Sequence, residues 1–298
     1  MNVSTASQWL AALAKRAVKS GLLLVFATVS VAARAAPLET EHLFGFTVGT
    51  DIGEVGEREI EGSLTGRSGK QTGSYNAASG TLSAEFVPVE NLRTEYAAAV
   101  NAFGIAGVSG FTDQRYGAFG GLSADFRYRL LDRATAAFGF ALGASPHWDR
   151  ADEVTGEPGQ QYGVDFVAVA DYEIVPDRIV AAFNLLYQPE AMRSKATATW
   201  SDQSMAGIAV ALMARLQGDV FVGGEAQYLR RYDGLALDAF AGQGFFIGPT
   251  VYAKLSERAW IAAAFSFQVA GNDAMSIGSL DLINFERRQA RLLFGISF

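Results

Sequence analysis

An all-β, up-and-down antiparallel transmembrane barrel of about twelve strands is the fold class this sequence predicts, and three observations predict it. The chain ends on a strand-like stretch with one apolar face. Short turn signals recur through it at a nearly constant interval. An export-type leader precedes a chain that is half hydrophobic yet has no later apolar run long enough for a spanning helix. Ten or fourteen strands are the neighbouring counts that the same pattern allows, because the assignment before Ala84 is the softest.

The chain opens on the leader. Lys15, Arg16 and Lys19 precede an apolar run from Gly21 to Val31, followed by Ala33-Arg34-Ala35. A basic region, a short apolar region and small residues at A-x-A spacing describe a cleaved secretory signal peptide over residues 1–35. A membrane-anchoring helix would need about 20 apolar residues, and this run is shorter. Removing the leader removes four of the 24 basic residues and no acid, leaving 20 against 31 acidic, a net charge of about −11. That balance excludes a basic footprint for nucleic acid. The absence of cysteine excludes disulfides and thiolate metal sites.

Residues 36–56 form an N-terminal segment whose stretch Leu43–Gly53 is strand-capable but glycine-rich, and the pattern alone gives it no place. The barrel is expected over residues 57–298. Glu57, Glu59, Glu61, Ser63 and Thr65 alternate with Ile60 and Leu64, a strand with a polar face, and a connection around Gly69 to Asn76 turns it back. Turn signals follow at Glu90-Asn91, Leu131-Asp132-Arg133, Val175-Pro176-Asp177, Gln217-Gly218-Asp219 and Ser256-Glu257-Arg258, about 40 to 44 residues apart. Between them lie longer polar or glycine-rich connections at 104–115, 150–159, 190–203, 233–242 and 271–284. Short turns at one end and long loops at the other are what membrane barrels show, with the turns periplasmic.

The alternation holds strand by strand. From Tyr162 to Ile174 the even positions are Tyr, Val, Phe, Ala, Ala, Tyr and Ile, while the odd face carries Asp165, Asp171 and Glu173. Ile179, Ala181, Phe183, Leu185 and Tyr187 share a face, opposite Arg178, Asn184 and Gln188. A soluble sandwich would bury such apolar faces; a membrane barrel turns them to lipid and its polar faces to the lumen. Strands of about 12 residues exceed the usual globular length. Tyr128, Tyr162, Tyr172 and Tyr187 lie near strand ends on the apolar face, as an interfacial girdle would. The final stretch sets Ala290, Leu292, Phe294, Ile296 and Phe298 against Gln289, Arg291, Leu293, Gly295 and Ser297, mostly small or polar.

That closing strand resembles the last strand of Gram-negative outer-membrane β-barrels, whose terminal aromatic and alternating apolar positions are read by the barrel insertion machinery. The resemblance implies that Phe294, Ile296 and Phe298 act as an assembly signal. Leu43–Thr47 with Asp51–Glu54, and Asn284–Arg291, are similar to segments of uncharacterised outer-membrane barrels of α-proteobacteria. It implies fold and an outer-membrane location, with lipid and lipopolysaccharide as surroundings, and no substrate.

The polar faces give the candidate site. Asp125, Arg127 and Arg129 fall on successive inward positions; Asp171, Glu173 and Arg178 straddle the next turn; Arg215, Glu225, Arg231 and Arg291 complete the set. These charges form either a constriction that selects small solutes in a porin-like transport channel or an interior of mutually satisfied ion pairs in a plugged structural or surface-binding barrel, since buried charges must be paired in both. Ser145-Pro146-His147 puts a hydroxyl and an imidazole on one strand face, the weak catalytic candidate for a membrane-embedded lipid hydrolase. Alternation turns both to the lumen, away from lipid, so the chain is not expected to be an enzyme. Only His42 and His147 exist, about 100 residues apart, and the inward acids are spread over several strands, so neither a metal site nor a cofactor is expected. Asp149, Asp152, Glu153 and Glu157 read as a solvated loop face.

Overall fold

The computed structural model describes residues 38–275 and 278–298; the signal peptide expected over residues 1–35 lies outside them. Alternating residues with one apolar face form twelve strands: β1 (Arg58–Ser68), β2 (Ser74–Val89), β3 (Leu92–Ala106), β4 (Gln114–Leu131), β5 (Gly139–Ala151) and β6 (Pro158–Val175). They continue as β7 (Ile179–Ser194), β8 (Trp200–Gln217), β9 (Val220–Asp233), β10 (Ala239–Lys254), β11 (Ala259–Asp273) and β12 (Arg288–Ser297). Every strand pairs antiparallel with its sequence neighbours, and β1 pairs with β12 to close the barrel. This is the up-and-down barrel the sequence predicts.

The turn end is built from residues that tolerate a left-handed backbone. Asn91, Asp177 and Gly218 take φ of 64°, 60° and 54° in the connections β2–β3, β6–β7 and β8–β9. Asparagine, aspartate and glycine are the residues for which that region is least costly. The β4–β5 connection is longer, residues 132–138, and is held by Asp132, whose Oδ1 accepts from the Ala134 N–H at 2.7 Å.

Two expectations about length are corrected. Strands reach 18 residues in β4, β6 and β8 where about 12 were expected. The connection expected at 190–203 is only residues 195–199. A tilted strand needs about 9–11 residues to cross the hydrocarbon. The surplus at the loop end keeps pairing beyond it, where both faces meet water and alternation carries no signal.

The outward face is apolar on every strand, and large side chains such as Leu82, Phe126, Phe183, Leu212, Val222 and Phe294 stand exposed. So extensive an uncovered apolar surface is untenable in water and expected against lipid. Tyr128, Tyr162 and Tyr172 are exposed on it, and Tyr162 lies 6.3 Å from Trp200. At the seam, Phe294 opposes Gly62 across β1–β12 and its ring covers the space a Cβ would fill there. That is aromatic cover of a glycine on paired strands. The carbonyl of Arg58 also accepts the Phe298 N–H at 3.0 Å.

Candidate functional site

The lumen is occupied by the chain's own N-terminal segment. Residues 38–53 enter at the turn end, reach mid-barrel at 45–48 and return to β1, with Leu38, Thr40, Leu43, Thr47, Thr50 and Ile52 all nearly inaccessible. This places the segment that the pattern left unassigned: it is a plug. Gly45 and Gly49 permit it, since a Cβ would strike Ala264 of the wall at the first and Thr40 of the plug itself at the second. Gly53, at φ +72°, redirects the chain toward β1.

The wall holds the plug mainly by its backbone. Glu225 of β9 accepts three successive N–H groups, Gly45, Phe46 and Thr47, at 2.7, 2.8 and 2.6 Å, and the Thr250 hydroxyl at 2.5 Å. Consecutive N–H groups around one carboxylate make an anion nest. Asn184 of β7 accepts the Val48 N–H at 2.8 Å and donates to its carbonyl at 2.9 Å, as a neighbouring strand would. Asp171 accepts the Thr50 N–H at 2.8 Å and the hydroxyls of Thr50 and Thr40, both at 2.7 Å. Arg291 donates to the Gly45 carbonyl at 3.1 Å.

Arg133 locks the turn end. It stands in the β4–β5 connection, yet is 1% exposed because its guanidinium reaches into the barrel. It donates to the Leu38 carbonyl at 2.7 Å and pairs with Asp171 at 2.9 Å, and with Asp51 of the plug. The apolar side chains of the plug have their own seat: Leu38, Leu43 and Phe44 pack with Val180, Ala182, Met213, Phe221, Tyr252 and Trp260, inward residues of β7–β11. His42 stacks on Trp260 with ring centroids 4.2 Å apart.

The opposite wall, β1 to β4, is charged. Arg93 pairs with Glu85 at 2.8 Å and Glu95 at 2.5 Å, with Glu41 of the plug at 3.6 Å and Asp125 at 3.9 Å. Arg127 lies 3.6 Å from Asp125. A chamber of about 150 Å³ lies between this wall and the plug, bordered by Glu61, Ser63, Thr81, Glu95 and Arg127. A vestibule of about 620 Å³ opens below the plug at the turn end, bordered by Asp51, Glu54, Glu57, Arg129 and Phe298.

The expected lumenal residues thus divide. Asp171, Glu225 and Arg291 hold the plug directly; Glu173 accepts the Leu38 N–H at 2.8 Å, and Arg129 lies 3.7 Å from Asp51. Asp125 and Arg127 belong to the charged wall. Arg215 is at the turn-end rim, paired with Asp177 at 2.9 Å and lying over the Phe221 ring. Arg231 faces the lumen of β9 near the loop end. Arg178 stands exposed in the β6–β7 turn, at the rim and not among the buried lumenal charges. Phe294, Ile296 and Phe298 face outward.

Ser145 and His147 both face the lumen and are engaged separately. The Ser145 hydroxyl donates to Asp125 at 2.6 Å, while His147 Nδ1 meets Asp149 at 2.6 Å. Arg133 and Arg93 stand outside the expected set, and the pattern puts Asn184 on the polar face without a role; the plug partners of all three, Leu38, Glu41 and Val48, are remote in sequence. The inward acids, expected to be spread out, are gathered by the fold: His147, Asp165 and Glu190 meet on β5, β6 and β7, His42 lies by Glu59 and Glu61, and Glu61 by Glu85 and Glu95.

Fold and lumen together define a twelve-stranded transmembrane barrel of the outer-membrane type, closed by its own N-terminal segment. The chain belongs to a family of unknown function, DUF6662, whose model matches residues 36–298. No curated protein matches it. Among solved structures it is similar to the COG4313 outer membrane channel from Pseudomonas putida F1, at TM-score 0.55 and 12% identity over 84% of this chain and 98% of that one. It is also similar to the translocator domain of the autotransporter NalP from Neisseria meningitidis, at TM-score 0.45 and 13% identity over 84% and 91%. The CymD monoaromatic hydrocarbon channel aligns at TM-score 0.40 and 10% identity over 82% and 88%. At these identities the likeness is one of fold.

Proposed function

We propose that the chain is an outer-membrane channel for small solutes that rests closed, with residues 38–53 as its gate. The observation that carries this reading is how the gate is held. Glu225, Asn184 and Asp171 bind its backbone and hydroxyls through groups that water can solvate equally well once the segment leaves. The path beside it is polar, and the vestibule gives the segment room at the turn end. The charged side of the lumen sets Glu59, Glu61, Glu85, Glu95 and Asp125 of the wall against Arg93, Arg127 and Arg291, so an opened lumen favours cations. Sharing its fold with an outer membrane channel is consistent with conduction. Lipid and lipopolysaccharide around the barrel, and the insertion machinery acting on Phe298, are the partners this reading requires.

A second reading, a permanently plugged structural barrel, is favoured by one observation. Val180, Met213, Phe221 and Tyr252 form an apolar seat that would face water if the gate left.

Swelling of liposomes carrying the protein separates the two. A gated channel admits small sugars and amino acids slowly in wild type and much faster in Glu225→Ala, which loses the nest. Equal impermeability of both proteins, each shown folded by heat-modifiable gel mobility, contradicts the channel.

A further inference from the structure

We propose that His147, Asp165 and Glu190 form a binding site for a first-row divalent cation, of which Zn²⁺ is the representative, on the lumenal wall near the loop end. The proposal stands whether or not the barrel conducts. Strand register makes the site: His147 of β5 pairs with Gly163 of β6, and Gly163 with Glu190 of β7. The three residues form one inward row whose middle member has no side chain. A Cβ on Gly163 would collide with His147 Nε2 and crowd Glu190 Cγ. The glycine therefore leaves the gap into which imidazole and carboxylate converge, and Asp165, two residues on along the same face, joins them.

The imidazole is oriented for a ligand. In the neutral ring an Nδ1–H donated to Asp149, 2.6 Å away, turns the Nε2 lone pair toward the two acids. Nε2 is buried and has no hydrogen-bond partner; its nearest carboxylate oxygen, Asp165 Oδ1, is 3.8 Å away. A carboxylate behind a histidine is the usual support of a metal-bound imidazole. Glu190 is supported likewise, its Oε2 accepting from Gln203 at 2.9 Å. The three ligand atoms lie within 4.8 Å of one another. Bonds of 2.0–2.2 Å in a tetrahedral site require a spacing of about 3.3 Å, within reach of small rotamer changes. One imidazole nitrogen and two carboxylates neutralise a dication and suit zinc, cobalt, nickel or manganese. Calcium and magnesium take oxygen ligands throughout.

The test is equilibrium dialysis of the full chain, purified folded in detergent, against Zn²⁺ with excess Ca²⁺ present. One Zn²⁺ per barrel is expected. His147→Gln and Glu190→Gln should each weaken it at least tenfold, and Asp149→Asn about 10- to 100-fold. Asp113→Asn, in the β3–β4 loop outside the cluster, should leave it unchanged. With Co²⁺ in place of Zn²⁺, visible absorption bands are expected in wild type and should vanish in His147→Gln. Absence of saturable Zn²⁺ binding overturns the site and leaves His147 a protonated partner of its acids. Binding that survives in folded His147→Gln and Glu190→Gln overturns it too. If His147→Gln does not fold, Glu190→Gln decides in the same two directions.

Discussion

The two sides of the lumen do different work. The wall formed by β7 to β11 presents Val180, Ala182, Met213, Phe221 and Tyr252, interrupted by Asn184 and Glu225. Such a surface fits a polypeptide, because the apolar patches receive Leu43 and Phe44 and the isolated acceptors receive backbone N–H groups. The wall formed by β1 to β4 presents Glu85, Arg93, Glu95, Asp125 and Arg127, which chiefly satisfy one another. A surface whose charges pair chiefly with one another binds a plug weakly and stays wet. The contrast shows how one barrel can carry both a seat and a path, and it makes the plug the element on which function turns.

The largest effect should follow from breaking the seat. Glu225→Gln combined with Asp171→Asn removes the charge from bonds worth about 1.5–3 kcal/mol each. Residues 38–53 should then become cleavable by protease in the otherwise intact barrel, and persistent protection would show that the apolar contacts alone retain the plug. Next in size is the outer face, which both walls share. Val222→Arg or Phe126→Arg should cost about 2–4 kcal/mol of bilayer stability near the midplane, measured by urea titration in liposomes.

The charged wall should be more forgiving. Arg127→Ala should leave the amount of folded barrel in the membrane nearly unchanged while increasing the cation preference of any opened lumen. Loss of the barrel in Arg127→Ala together with tolerance of Val222→Arg would reverse the assignment of faces. The smallest effect concerns the loop end, where the Lys70 amine donates to the carbonyls of Ile283 and Phe285 at 3.1 and 2.9 Å. Burial pushes its pKa down from 10.5 to about 8. The packed state therefore binds the proton less well than the open one, so packing weakens as pH falls from 10.5 to 8 and is constant below. Protease cleavage within 278–287 should rise over that window and level off, and Lys70→Met should flatten the profile.

Much of the barrel was legible and the plug was not, for a physical reason. A strand that faces lipid and lumen must alternate, so β6, β7 and β12 announce themselves residue by residue. The plug obeys no period, because its contacts are with remote partners, such as Asp171 for Thr50, 121 residues away, and Glu225 for Gly45, 180 away. Its one local trace is Gly45, Gly49 and Gly53, at four-residue spacing. Arg133 read as a turn residue since nothing nearby shows that its guanidinium enters the barrel. His147, Asp165 and Glu190 look scattered until register places Gly163 between two of them.

The most direct measurement is single-channel conductance in planar bilayers of the intact chain beside a variant lacking residues 38–53, both folded by gel mobility. A mostly silent intact barrel with rare brief openings is expected, and steady salt-proportional conductance with cation preference after the deletion. Equal currents from the two proteins would contradict it, whether both conduct freely or both stay silent.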